Sequence, residues 1–163
     1  IALILVFAVV LSFSACGGGG NDSEGGDTKT LVIAIQDEIE GTDIHQIGWG
    51  NVVHQLLYSP LVTFSEDMST LNPCFAESYT ESEDGKEITF VLPEDAKFSN
   101  GDALDAEAVK ASFERMKEIS QYSGDIEAIT DIEVIDERTF KFILSEPAPY
   151  MYASLAHTAA LST

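Results

Sequence analysis

Residues 75–113 read FAESYTESEDGKEITFVLPEDAKFSNGDALDAEAVKASF, and the alternation of polarity along them decides the fold. Ser82 to Gly85 (SEDG) is a turn, with short polar side chains leading to a glycine that tolerates positive φ. Beyond it Ile88, Phe90 and Leu92 alternate with Thr89 and Val91, the period of two expected of a strand with one buried face. Asn100-Gly101 makes a second turn. Asp105 then stands where a helix N-cap belongs, and Glu107 sits favourably in the first turn. Val109, Phe113, Met116 and Ile119 space an apolar stripe along one helical face.

The flanks extend this pattern. Downstream, IEVI, DERT and FKFIL (residues 132–144) predict a hairpin, with Asp131 and Glu133 solvated on a polar face. Pro147 and Pro149 begin an irregular stretch, and the apolar segment from Tyr150 to Ala156 suits a helix. Upstream, Trp49, Val53, Leu56 and Leu57 recur at helical spacing up to Tyr58-Ser59-Pro60, where proline stops the helix. Thr30 to Ile35 (TLVIAI) is β-branched and apolar, the signature of a buried strand, and an acidic loop, Asp37 to Gly41, follows it. Strand, helix, antiparallel strands, helix and hairpin make a mixed α and β chain.

Residues 4–16 (ILVFAVVLSFSAC) are an apolar run closed by small residues and a cysteine, followed by GGGGNDSEGG. This order fits the h-region and cleavage site of a secretory signal, with Cys16 resembling the lipid-accepting cysteine of a bacterial lipoprotein. The run is too short for the roughly 20 apolar residues of a membrane span, and no Lys or Arg follows to stop transfer. Residues 1–15 are read as the signal, without its basic n-region, and 16–30 as a flexible Gly-rich tether. The first residue is Ile1 and the chain ends in ALST, so a piece cut at both ends is expected.

The charge excludes one large class of function. Eight Lys and Arg stand against 28 Asp and Glu, a net −20, which leaves no basic stripe for nucleic-acid phosphates. No Walker A loop, G-x-S-x-G, H-E-x-x-H or C-x-x-C is present. His45, His54 and His157 lack close ligand spacing and read as surface or satisfied residues. With Cys16 lipidated, Cys74 is left alone and is expected to be a small buried apolar residue. Trp49 reads first as core packing, with ligand stacking the alternative. No cofactor is expected.

Residues 75–113 also closely resemble the signature of family 5 extracellular solute-binding proteins, which serve ABC importers of oligopeptides, dipeptides and nickel complexes. The resemblance lies in Ala76-Glu77-Ser78, Ser82, Asp84-Gly85, Thr89-Phe90, Leu92, Lys97-Phe98, Gly101, Ala106-Glu107 and Val109. It departs at Tyr79 and Pro93, where Trp and Arg are usual, and at Asp105 to Ala108. Residues 56–64 and 129–147 resemble the family's helix-to-strand junction and later hairpin.

The resemblance implies an α/β, two-lobed periplasmic-binding-protein-like (class II) fold. Residues 31–46 would start lobe one, and 47–163 would form its inserted mixed α/β subdomain. It further implies a lipid-anchored extracytoplasmic receptor that binds peptides and delivers them to ABC permease subunits, without catalysis. In peptide-binding members, extended ligand backbone pairs near the loop after the first strand. Here that places Glu38, Ile39, Glu40 and Trp49 as expected ligand contacts. Thr42-Asp43-Ile44 replaces the family's L-D-P. A receptor for nickel or another metal chelate is the alternative, since residues 97–101 and 105–108 look particularly like nickel-binding members. An exported acidic enzyme is the alternative of another class, which no motif supports.

Overall fold

Alternating apolar residues, a capped helix and two proline-bounded ends assemble into one sheet covered by helix in the computed structural model. It describes residues 30–36, 38, 41–47 and 52–157. The chain divides into two units, Ile1–Ala34 and Ile35–Thr163, and the regular elements among the described residues lie in the second. These are α1 (Val52–Leu57), β1 (Val62–Phe64), β2 (Leu71–Pro73), β3 (Ser78–Glu81), β4 (Glu87–Val91), α2 (Ala106–Ile119), a 3-10 turn (Ser123–Ile126), β5 (Ile129–Val134), β6 (Thr139–Leu144) and α3 (Met151–His157).

The strands β3, β4, β6 and β5 pair antiparallel in that spatial order, while β1 and β2 form a separate two-stranded ladder. The turn at residues 82–85 closes the β3–β4 hairpin, with Gly85 at φ 68°, the left-handed region that glycine enters without steric cost. The period of two then aims one side of each strand inward. Ile88 and Phe90 of β4 face Phe142 and Phe140 of β6 across the ladder, and all four are buried.

Over that face lies α2. Asp105 caps it, its carboxylate accepting from the Ala108 amide at 2.8 Å, which satisfies one of the orphan donors of the first turn. Val109, Phe113 and Met116 turn to the core, and Phe113 meets Phe142 with ring centroids 4.8 Å apart. Phe90, Phe140 and Phe142 add ring contacts of 5.3 to 5.5 Å. This aromatic cluster is the centre of the unit, and each fully buried Phe side chain contributes roughly 2–3 kcal/mol. Met151 and Leu155 of α3 close one end, and Tyr152 donates to Glu81 at 2.5 Å.

Three expectations need correction. Residues 31–35 form no strand, and Leu31 and Val32 are exposed. A strand exists only by pairing, and none of the described strands pairs with this run. The helix expected up to Pro60 is present as α1, with Leu56 and Leu57 exposed at 63% and 57%. Ile119, the last residue of α2, is 41% exposed and leaves the buried stripe at Met116. Cys74 is exposed rather than buried, since it follows β2 where the chain leaves its short ladder.

Candidate functional site

The acidic loop after residues 31–35 is represented by Glu38, which is exposed, and by Gly41 at its far end. Ile39, Glu40 and Trp49, expected beside Glu38 at the ligand, lie outside the described residues, as does Cys16.

The continuation of the loop, residues 41–47, is held in detail. Its backbone makes a single turn, the Gln46 and Ile47 amides donating to the Asp43 carbonyl at 3.1 and 3.0 Å. Ile44 and His45 point inward and are 2% and 1% exposed. Asp43 organises the rest. Its Oδ1 accepts from the His45 amide at 3.1 Å and from Arg115 Nη1 at 2.9 Å. Its Oδ2 accepts from the Gln46 side-chain amide at 2.9 Å and from Arg115 Nη2 at 2.5 Å.

Arg115 therefore grips the carboxylate with both terminal nitrogens, the fork geometry that only a guanidinium supplies. Its Nη1 also lies 2.8 Å from His45 Nδ1. A guanidinium can only donate, so Nδ1 accepts and the ring is the neutral Nε2-H tautomer. Two further residues hold the upstream end by its carbonyls: His54 Nε2 lies 3.4 Å from the Gly41 oxygen, and the Tyr58 hydroxyl donates to Thr42.

The electrostatics follow from this geometry. Hydrogen bonding from Arg115 holds the Asp43 carboxyl down at about 2, against some desolvation and with help from the His45 amide, the Arg115 charge and Gln46. The same pairing raises Arg115. Both side chains are 33% exposed, so water screens the pair only in part.

Nothing here is arranged to react. The carboxylate is fully occupied, and the arginine donates in fixed directions. Among the described residues no three His, Cys, Asp or Glu side chains converge as metal ligands. His45 and His54 are buried and engaged with the loop. Cys74 has its thiol pushed up by partial desolvation, away from nucleophile chemistry. The cluster is a holder for a loop.

Sequence reasoning placed the loop but missed its anchor, because Asp43 and Arg115 lie 72 residues apart. One signal was available. Arg115 and Arg138 are the only arginines in a chain rich in acids, and each makes a long-range tie. Arg138 Nε donates to the Leu92 carbonyl at 2.8 Å and its Nη2 to Glu77 at 2.6 Å.

Residues 70–163 match the family described as bacterial extracellular solute-binding proteins, family 5 Middle. Over 81 residues, 47% of this chain and 15% of the relative, the chain is 48% identical to the probable D,D-dipeptide-binding periplasmic protein DdpA of Escherichia coli K12. It is 37% identical over 92 residues to the nickel-binding periplasmic protein of the same organism, covering 55% of this chain and 17% of that one. Among solved structures, NikZ from Campylobacter jejuni in complex with Ni(L-His) superposes with a TM-score of 0.73 at 28% identity, over 82% of this chain and 27% of that chain. The chain thus spans less than a third of the length of each of these proteins.

Proposed function

This chain belongs to the bacterial extracellular solute-binding proteins of family 5, and we propose that it forms part of a receptor that captures peptides outside the cytoplasm and delivers them to the permease subunits of an ABC importer. The observation that carries the peptide assignment is the 48% identity to a probable D,D-dipeptide-binding protein. In this reading residues 31–46 begin lobe one, 47–163 are its inserted subdomain, and the ligand backbone meets the loop carrying Glu38, Ile39 and Glu40, with Trp49 nearby. Main-chain pairing of that kind tolerates varied side chains, and the acidic residues suit the ammonium group or a basic side chain of a peptide. The receptor binds and releases its ligand unchanged.

Cys16 carries the lipid that tethers the receptor to the membrane, and residues 16–30 give it reach. Stable anchoring of that kind takes more than one acyl chain. A specific observation favours a second reading, a metal-chelate receptor, because the chain superposes well on a Ni(L-His) complex.

Native mass spectrometry of the whole protein, expressed without residues 1–16 and purified gently, tests the choice. Adducts at a ladder of peptide masses are expected. A single adduct with a metal isotope pattern replaces the peptide reading with the chelate one, and an absence of peptide adducts after incubation with a dipeptide and oligopeptide library refutes it.

A further inference from the structure

The four-stranded sheet has two edges, and they end differently. β3 runs beside α3, where Tyr152 donates to Glu81 and the Tyr79 and Tyr152 ring centroids lie 6.1 Å apart. β5 is the last strand on the other side, and among the described residues no strand pairs beyond it. An open edge of that kind presents a row of amides and carbonyls to any passing strand. Which groups face out follows from the ladder. The Ile135 amide donates to the Thr139 carbonyl, so alternation turns the backbone of Glu133 and Asp131 toward β6 and that of Ile132 and Val134 away from it. A bulge between Ile129 and Asp131 then changes the phase. The Ser145 amide donates to the Ala128 carbonyl, which leaves Ile129 as the outward residue at that end.

Two of these outward groups are already taken. The Lys117 ammonium, from the last turn of α2, donates to the Ile129 carbonyl, and the Ile132 amide donates to Asp131 Oδ1 at 2.8 Å. The chain has 8 Lys and Arg against 28 acids, yet Lys117 reaches a neutral carbonyl. Burial holds it below the ordinary lysine value, while Asp131 and Glu114 pull the other way. On the inner side the bulged Thr130 donates from its hydroxyl to the Ile143 carbonyl at 3.0 Å, so the bulge leaves no gap in the ladder. Asp131 and Glu133 stand exposed along the same strand, and in an antiparallel pairing with a second β5 they would meet the same acids. We propose that Lys117 and Asp131 are edge guards: by occupying the Ile129 carbonyl and the Ile132 amide, they keep β5 from pairing with the β5 strand of a second copy of this chain. An incoming strand finds free only the Val134 backbone and the Ile132 carbonyl, too short a ladder to hold two chains together.

The test uses the whole protein without residues 1–16, with mass by light scattering over a concentration series and amide exchange along β5. In wild type the Glu133 and Ile135 amides are expected to exchange slowly and the Val134 amide fast, with a mass that does not change with concentration. Lys117→Met combined with Asp131→Ala is expected to double its mass as concentration rises, with Val134 gaining protection in step. Lys117→Arg, which keeps a donor beside Ile129, is expected to behave as wild type. A double variant that keeps the wild-type mass and fast Val134 exchange across the series overturns the proposal. So does a rise in mass without protection at Val134, which puts the association on another surface. Near-UV circular dichroism checks that the double variant is folded; if it is not, Asp131→Ala alone, which frees the Ile132 amide, is read by the same criteria. Slow exchange of Val134 in wild type overturns the proposal without any variant, because another segment then already covers this edge.

Discussion

The sheet with α2, residues 78–144, and the loop at residues 41–47 are held by opposite means. In the first, Phe90, Phe113, Phe140 and Phe142 are buried to 1% or less and bonded to nothing; order comes from apolar area removed from water, and every contact is shared among many neighbours. In the second, order comes from a few directed bonds to one carboxylate and two carbonyls. Nondirectional packing makes a body that resists any single polar change, whereas directed bonds make a loop whose place rests on three side chains, His54, Tyr58 and Arg115.

The contrast can be broken most forcefully in the core. Phe142→Ala leaves a void among three aromatic neighbours and is expected to lower unfolding free energy in urea by about 3–5 kcal/mol. A loss under 1 kcal/mol removes the claim that this cluster is the centre of the unit. Asp105→Ala, which strips the cap from α2, is expected to cost about 1 kcal/mol by the same measurement, and Asp105→Asn to recover most of it.

The loop responds to acid through Asp43. The Asp43 carboxyl is depressed from 3.8 to about 2, so its contribution is complete above the unfolded value and disappears as pH falls through about 2. With the pair one-third exposed, solvent screening limits that contribution to about 1 kcal/mol. The melting temperature of wild type relative to Asp43→Asn should therefore be offset and constant at pH 5–7, and the offset should close between pH 4 and 2. An offset that survives at pH 2 assigns it to packing instead. The smallest effect is expected at Leu57→Ser on the exposed face of α1, within about 0.5 kcal/mol; a larger loss shows that this face is covered in the whole protein.

These two regions also differ in how far the amino-acid order discloses them. The hairpins, the Asp105 cap and the stripe of Val109, Phe113 and Met116 are local patterns, each readable within a few residues because the strand and helix periods dictate which side chains share a face. The match to family 5 rests on the same stretch. Cys74 was misplaced because apolar character predicts burial only where a neighbouring element covers the face, and coverage is a tertiary fact. Residues 31–35 carry strand chemistry, yet a strand is defined by its partner. The Asp43–Arg115 clamp was invisible for a related reason, since nothing local in GTDIHQ or FERMK specifies that the two meet.

Ligand is expected to engage the loop leading into this clamp while the packed body stays as it is. Amide hydrogen exchange of the whole protein, with and without a saturating peptide, tests it directly. Protection is expected to rise across residues 35–47 and to stay unchanged through β4 and β6, which are already protected by the core. Added protection in the sheet with none in residues 35–47 contradicts the claim and moves the ligand to another surface.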